Sequence, residues 1–215
     1  WQGVGSSRRG PDALIDTVAQ LQGAPLVASA LEGEVLPARL AEYRPADLDA
    51  LCTSGDVVWV GAGGIGANDG RLRLCFRDQA RLLVPAPGDD PPSDPHHTAI
   101  RVHLEQRGAS FWPDLLAAVA AADLPYDEPT VLAALWDLVW AGEVTNDSLG
   151  PLRARLGTKG SGGRGGRPRP GRFARQGPPA AAGRWSLVAP MLSPPPSPTE
   201  VAHATATQLL DRYGV

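Results

Sequence analysis

Hydrophobic side chains recur at helical spacing in the first part of the chain and alternate after it. Residues 11–22, 26–36 and 45–53 each carry an apolar helical face, which predicts three helices. Residues 57–60 and 71–77 then predict two strands that are joined by a glycine-rich turn. Three helices followed by a hairpin is the order of a winged helix. In that fold the third helix usually enters a DNA groove and the hairpin is the wing.

The same order of elements returns after a proline-rich linker at residues 85–97. The predicted helices are residues 97–107, 111–121 and 129–140, and the predicted strands are residues 143–146 and 183–188. The spacing of glycines is also similar, since Gly23 and Gly55 lie 32 residues apart and Gly108 and Gly142 lie 34 residues apart. We therefore expect one supersecondary unit to occur twice.

A further amphipathic stretch at residues 199–213 has the pattern of the first helix of a third unit. The predicted organisation is a winged-helix domain at residues 1–87, a second at 88–190 and a truncated third at 191–215. The predicted fold class is mainly α with small antiparallel β hairpins, arranged as tandem winged-helix domains. Because the first residue is Trp1 and not methionine, we expect the chain to be part of a longer protein.

The formal net charge of −3 conceals two regions of opposite sign. Residues 1–147 contain ten arginines and 21 acidic residues, whereas residues 148–199 contain nine cations and no acid. The stretch of about residues 148–183 is therefore predicted to be a long basic wing loop, mostly disordered when free. This charge distribution favours contact with nucleic-acid phosphates, and the alternative is a solvated loop that reflects a compositional bias towards arginine.

We predict that the wings and the basic loop supply the nucleic-acid contacts. The third helices carry Asp47, Asp49 and Asp137, so neither presents a basic face that reads bases. Trp59 and Trp185 lie beside arginines on wing strands, where an indole either stacks on an unpaired base or seals the core beneath the wing. The candidate binding residues are Arg71, Arg73, Arg77, Arg164, Arg167, Arg169, Arg172, Arg175, Arg184, Trp59 and Trp185.

Residues 61–66 match the G-x-G-x-x-G pattern of dinucleotide-binding loops. A strand and not a helix is predicted after them, so a hairpin tip is the favoured interpretation. The sequence contains no P-loop pattern, and its four histidines and two cysteines lack metal-ligand spacing. No serine has an evident base, and no two carboxylates are placed for acid–base catalysis. We therefore predict no catalytic residue, no metal site and no cofactor within the chain.

Six blocks of the sequence resemble the carboxy-terminal half of the Lhr (large helicase-related) proteins, which are bacterial superfamily 2 helicases. The blocks are residues 21–23 (LQG), 35–40 (VLPARL), 54–63 (SGDVVWVGAG), 107–111 (RGASF), 134–147 (ALWDLVWAGEVTND) and 171–188 (GRFARQGPPAAAGRWSLV). The resemblance implies an ATP-dependent helicase that moves 3′ to 5′ and ends in winged helices and a β-barrel. It also implies ATP and magnesium as cofactors of the parent, a role in DNA repair and an associated uracil-DNA glycosylase activity.

The expected function is nucleic-acid binding by a segment of such a helicase, with single-stranded or duplex DNA held regardless of its sequence. The expected partners are DNA and the remainder of the parent chain, in the cytoplasm and without a membrane. One alternative is a structural or oligomerisation module without DNA contact, including a homo-oligomer, and another is a free-standing glycosylase. Whether the chain is itself an enzyme stays open, because ATPase motifs are lacking and the resemblance places the catalytic acid of the barrel beyond Val215.

Overall fold

The computed structural model describes residues 2–86, 88, 90–157 and 177–214. The elements of the first repeat are α1 (Pro11–Leu21), β1 (Leu26–Val27), α2 (Ala28–Ala30), a π-helical turn (Leu31–Val35), α3 (Pro45–Ser54), β2 (Val57–Ile65), β3 (Asp69–Phe76) and α4 (Ala80–Leu83). The three predicted helical regions and the hairpin are therefore confirmed. Both α1 and α3 begin with proline, which fits because an N–H at the first helical position has no acceptor within the helix.

The first sheet has three antiparallel strands in the order β1-β3-β2. Leu26 and Val27 pair with Leu72 and Arg71, so the prediction that the second helix starts at Leu26 is wrong for these two residues. Pairing satisfies their backbone groups along the edge of β3 that β2 leaves open. Leu72 and Leu74 are both buried, as the alternation along β3 predicted.

The second repeat follows the same plan. Its elements are α5 (Pro95–Arg107), β4 (Ser110–Phe111), α6 (Trp112–Ala121), α7 (Glu128–Trp140), β5 (Val144–Asn146), α8 (Gly150–Leu156), a 3₁₀ turn (Pro179–Ala181), β6 (Arg184–Leu187) and a second 3₁₀ turn (Ala189–Leu192). The strand order β4-β6-β5 is the counterpart of the first sheet. Thr145 lies opposite Ser186 in the β5–β6 ladder, so the predicted pairing of these distant strands is confirmed.

The two repeats contribute to one hydrophobic core. Trp59 of the first wing is buried in it, as are Trp112, Trp136 and Trp185 of the second repeat. The ring centroids of Trp136 and Trp185 lie 5.9 Å apart in an edge-to-face arrangement, which the charge distribution of aromatic rings favours. Because both repeats fill the same core, their relative orientation is fixed by packing.

The basic stretch between β5 and β6 begins and ends in folded segments. The predicted loop over about residues 148–183 is therefore wrong for α8 and for the turn Pro179–Ala181, which pack against each other. Leu149, the residue before α8, and Leu152 within it are buried and attach the helix to the core. Residues 158–176 lie outside the described residues, and with them lie Arg164, Arg167, Arg169, Arg172 and Arg175.

The last helix, α9 (Pro198–Tyr213), lies against α1 and α4 of the first repeat. Gln208 is buried, and its side-chain amide donates to the carbonyl oxygens of Ala19 and Gln20 at 2.9 and 3.1 Å. The predicted domain boundaries stay predictions. In the described parts of the chain, no helix combines the length and the apolar character that a membrane crossing requires.

The two cysteines yield a first prediction, because burial raises the pKa of Cys52 to about 12 and that of Cys75 to about 11. A protonated thiol is a poor nucleophile, so neither should react with Ellman's reagent at pH 8 until the chain is unfolded by urea. The raised pKa values also link stability to pH, because the folded chain keeps protons that unfolded thiols release above their ordinary value of 9.0. The free energy of unfolding should therefore fall as pH rises above about 9. Rapid labelling of both native thiols would contradict their burial.

Candidate nucleic-acid interface

The third helix of the first repeat faces the second repeat. On α3, the carboxylate of Asp49 accepts hydrogen bonds from the Leu149 backbone N–H at 2.9 Å and from Arg153 Nη1 at 2.7 Å. Thr53 Oγ1, one turn later, donates to the carbonyl oxygen of Asp147 at 3.1 Å. The polar groups of Asp49 and Thr53, which a DNA-reading helix could present to bases, therefore make contacts between the repeats instead.

The third helix of the second repeat, α7, is enclosed on most sides. Oδ2 of its residue Asp137 lies 3.2 Å from Nε2 of the buried His97. Since His97 Nδ1 accepts the Asp94 backbone N–H at 3.1 Å, Nε2 carries the proton and donates to Asp137. As predicted, α7 has no basic face that could read bases, and most of the helix is instead buried in the core. Its buried residues are Val131, Ala134, Leu135, Trp136, Leu138, Val139 and Trp140.

Arg153 of α8 closes the junction between the repeats. Its Nε and Nη2 donate to the Glu32 carboxylate at 2.6 and 2.9 Å, and its Nη1 donates to Asp49. Burial by itself lowers the pKa of Arg153, but the hydrogen bonds to Glu32 and Asp49 outweigh burial and raise it. Tyr43 donates to Glu32 at 2.5 Å, and burial together with that carboxylate raises the pKa of the phenol. Arg153 is thus a structural residue, although it belongs to the basic stretch.

The glycine motif at residues 61–66 lies in the first wing, and β2 runs through most of it. An ideal Cβ placed on Gly61 would lie 1.8 Å from the carbonyl oxygen of Val139. A Cβ on Gly70, in the returning strand, would lie 2.4 Å from the ring of Trp140. These glycines allow the first wing to approach α7 closely, and no helix begins at the motif to hold a phosphate.

The three arginines predicted on the first wing differ in their availability. Arg71 and Arg77 are exposed, and neither side chain makes a hydrogen bond or an ion pair with a described residue. Arg73 is half-buried, its Nε donates to the Gly23 carbonyl oxygen at 3.2 Å, and burial lowers its pKa. Arg71 and Arg77 can therefore meet a phosphate, whereas Arg73 is held against the protein.

The two tryptophans predicted as binding residues are both fully buried, at 0% exposure. The indole N–H of Trp59 donates to the Ser148 carbonyl oxygen at 3.1 Å, and that of Trp185 donates to the Ala181 carbonyl oxygen at 2.9 Å. No base can reach either ring in this fold, so stacking is corrected to the core-sealing alternative. The physical reason is that burial of a large ring with a satisfied N–H is strongly favourable.

Arg184 begins β6 and is 54% exposed, with its Nε 3.9 Å from the nearest carboxylate oxygen, on Asp147. Arg184 and Arg77 line the same cleft, of about 480 Å³, where the two wings meet. Ser186 also lines this cleft and was missed by the sequence analysis. Alternation along β6 was the available signal, because it places Ser186 on the face opposite the buried Trp185. The fold thus brings together two candidate cations from different repeats.

Comparison with known proteins decides the family. Residues 1–77 match the family model described as "Large helicase-related protein, winged-helix domain". The chain is 36% identical over 228 residues to "Lhr helicase/ probable uracil glycosylase" of Mycolicibacterium smegmatis (strain ATCC 700084 / mc(2)155), covering 100% of this chain and 15% of that protein. It is 33% identical over 225 residues to "Lhr helicase/uracil glycosylase" of Escherichia coli (strain K12), covering 96% and 14% respectively. The chain belongs to the Lhr family.

The identification predicted from the sequence blocks is therefore confirmed, as is the winged-helix fold of the first repeat. The chain spans about one seventh of the length of these two Lhr relatives. The helicase and glycosylase named for the relatives are properties of those longer proteins.

Within the described residues of this Lhr segment, no group of three or more His, Cys, Asp or Glu side chains is placed to hold a metal ion. The histidines form local contacts: His96 Nε2 lies 2.7 Å from the Pro125 carbonyl oxygen, and His103 Nε2 lies 3.1 Å from Ser110 Oγ. The exposed arginines and the cleft between the wings are features that an anionic ligand can contact.

Proposed function

We propose that this chain is a nucleic-acid-binding segment of an Lhr-type ATP-dependent helicase and that it holds DNA without reading its sequence. One observation carries the proposal: both third helices are engaged in packing, while Arg71, Arg77 and Arg184 are exposed on the wings. Guanidinium groups at such positions contact phosphates, which are identical for every base sequence. The excess of cations over residues 148–199 adds further affinity of the same kind.

In the parent protein, the segment would add DNA contacts to a helicase that moves 3′ to 5′ on DNA during repair. The helicase and uracil glycosylase in the names of the two relatives support this part of the proposal. We assign ATP, magnesium and catalytic residues to other regions of the parent, because the chain carries no P-loop pattern. We place the parent in the cytoplasm, with DNA as its partner.

The proposal predicts the effect of reversing the charge of Arg164, Arg167, Arg169 and Arg172. Changing all four to glutamate should weaken DNA binding roughly 100-fold at ~100 mM salt, and by the same factor for every sequence. If all four contact phosphates, the slope of log affinity against log salt should also fall by roughly three to four. Fluorescence anisotropy at two salt concentrations, with several unrelated oligonucleotides, measures both quantities.

The matched control is a variant in which residues 158–176 keep their composition but have a scrambled order. Electrostatic binding predicts that this variant retains the affinity of the original chain. Unchanged affinity after charge reversal would remove these arginines from the interface. Losses that depend on the oligonucleotide sequence would instead indicate base reading.

A structural role is the second candidate, and the junction between the repeats favours it. Arg153 joins Glu32 to Asp49, and the first wing rests on α7, so the segment can orient its neighbours as a rigid spacer. In that case the chain would bind no DNA at low salt. Self-association stays a prediction, and light scattering over a range of concentrations tests it directly.

A further inference from the structure

The cleft between the wings is built from both repeats. Its walls come from the end of α3, the start of β2, and strands β5 and β6. Thr53 donates to the carbonyl oxygen of Asp147, and Thr145 donates to the carbonyl oxygen of Trp59, so hydrogen bonds tie the two walls together. The cleft is therefore preformed by the packing of the repeats, which is typical of ligand sites.

The polar side of the cleft offers donors that the protein leaves unused. The guanidinium group of Arg77 and the hydroxyl of Ser186 make no hydrogen bond with a described residue. The Nε of Arg184 lies 3.9 Å from Asp147 Oδ2, which is longer than a hydrogen bond. Asp147 Oδ1 instead accepts the backbone N–H of Arg184 at 3.0 Å. Arg77 and the Ser186 hydroxyl are thus available to an anion. Arg184 forms a long ion pair with Asp147, but its guanidinium group makes no hydrogen bond with a described residue and can still donate to an anion.

The lining of the cleft also has an apolar part, which includes Leu187, Pro190 and Met191. Met191 is half-buried and packs against a small core cluster that contains Val58 and Val188. A flexible thioether beside a proline ring gives an adaptable surface for a flat ring. An anion site facing an apolar wall has the chemistry of a nucleotide, with a phosphate on one side and a base on the other.

The adjoining depression shares Arg77, Pro190 and Met191 with the cleft but differs in its charges. It begins at Arg77 and is also lined by Asp56, Asp78 and Arg81, and Arg81 lies 3.7 Å from the carboxylate of Glu200. The two arginines of the depression are matched by two aspartates, so an anion that binds there gains little electrostatic attraction. The anion site is therefore limited to the cleft that Arg77 and Arg184 share.

The shape of the cleft favours a single strand over a duplex. A duplex presents its phosphates on a convex surface and keeps its bases stacked inside, so it cannot place a base in a cleft of about 480 Å³. A single strand exposes the phosphate and the unpaired base of one nucleotide together.

We propose that this cleft binds one nucleotide of a single-stranded nucleic acid, with the phosphate between Arg77 and Arg184 and the base against Pro190 and Met191. This site rests on the proposed function. It adds that the bound nucleic acid is single-stranded and that the contact lies in the cleft. The exposed arginines elsewhere serve duplex and single strand alike, whereas the cleft distinguishes them.

The test compares the full chain of 215 residues with three variants by fluorescence anisotropy. The ligands are a labelled oligothymidylate of about 15 nucleotides and a blunt duplex of mixed sequence. Arg77→Ala and Arg184→Ala should each weaken single-strand binding by about tenfold, because each removes a charge-assisted hydrogen bond, and should change duplex binding by less than about twofold. Met191→Glu should weaken single-strand binding at least as much, because it places a carboxylate on the base wall.

The matched control is Arg44→Ala, which removes an arginine that is 69% exposed and lies outside the cleft. It should change neither affinity, and the three arginine variants should keep the melting temperature of the original chain. If the original chain binds DNA but all three cleft variants keep their single-strand affinity, the cleft site is overturned, and the proposed function then rests on Arg71 and the basic stretch. Equal losses for both ligands would overturn the preference for a single strand. An original chain that binds neither ligand at low salt would overturn both proposals.

Discussion

Replacing Gly61 by alanine should destabilise the fold by about 3 kcal/mol or more. The added Cβ would lie 1.8 Å from the carbonyl oxygen of Val139 and 2.8 Å from its carbonyl carbon, both of them main-chain atoms of α7. Neither backbone can shift locally, so the first wing must move off α7 and open the core around Trp59. Thermal denaturation followed by circular dichroism should show a Tm lower by about 6–12 °C.

Gly64→Ala is the matched control for this change. Gly64 lies in the same strand, and a Cβ there would be 4.0 Å from the Trp140 ring, which is ordinary van der Waals distance. Its replacement should therefore change the free energy of unfolding by less than about 0.5 kcal/mol. Small and equal effects at both positions would mean that the first wing does not rest on α7.

Arg153→Ala should destabilise the chain by about 3 kcal/mol, the second large effect. The side chains of Arg153, Glu32 and Asp49 are 15%, 19% and 29% exposed, so removal of the arginine leaves two poorly hydrated carboxylates without their partner. The loss should depend little on salt concentration, because charges shielded from solvent are screened weakly. Urea titration at low and high salt measures both the size and the salt dependence.

Two variants make this result specific to the junction. Arg44→Ala removes an exposed arginine that pairs with Asp47 at 3.1 Å, and it should cost less than about 1 kcal/mol. Adding Glu32→Gln and Asp49→Asn to an Arg153→Met chain should recover part of the lost stability, since the unpaired charges are then gone. A loss at Arg153 as small as that at Arg44 would show that the network does not hold the repeats together.

Much of the fold was predictable because local patterns and tertiary packing agree. The apolar faces of α1, α3, α5 and α7 have helical spacing, and Leu72 and Leu74 alternate with arginines on β3. The distant pairing of β5 with β6 also followed from the sequence, because the second repeat had to complete the same wing as the first.

The rest depended on contacts that a local pattern does not contain. Leu26 and Val27 form a strand because β3 offers an open edge, whereas their own spacing fits a helix equally well. The burial of Trp59 and Trp185 depends on packing against the opposite repeat. Their neighbouring arginines in the sequence therefore could not show whether the two indoles are exposed. For α8 a signal was present, since Leu149, Leu152 and Leu156 have helical spacing within the basic stretch.

For the candidate interface, the sequence could indicate charge but not access. The sequence gives no reason to distinguish Arg73, Arg77 and Arg184 as phosphate contacts. In the structure, Arg73 donates to a backbone carbonyl oxygen, while the other two line one cleft. That division arises from how the two wings meet, which no single repeat determines.

Arginine footprinting tests most directly the claim that nucleic acid meets the wings and not the third helices. Phenylglyoxal modification of the chain, with and without a single-stranded oligonucleotide of random sequence, is read residue by residue by mass spectrometry. Arg77 and Arg184 should be protected, whereas Arg44, the residue before α3 and exposed, should be modified equally in both samples. Protection of Arg44 with unchanged modification of Arg77 and Arg184 would contradict the account.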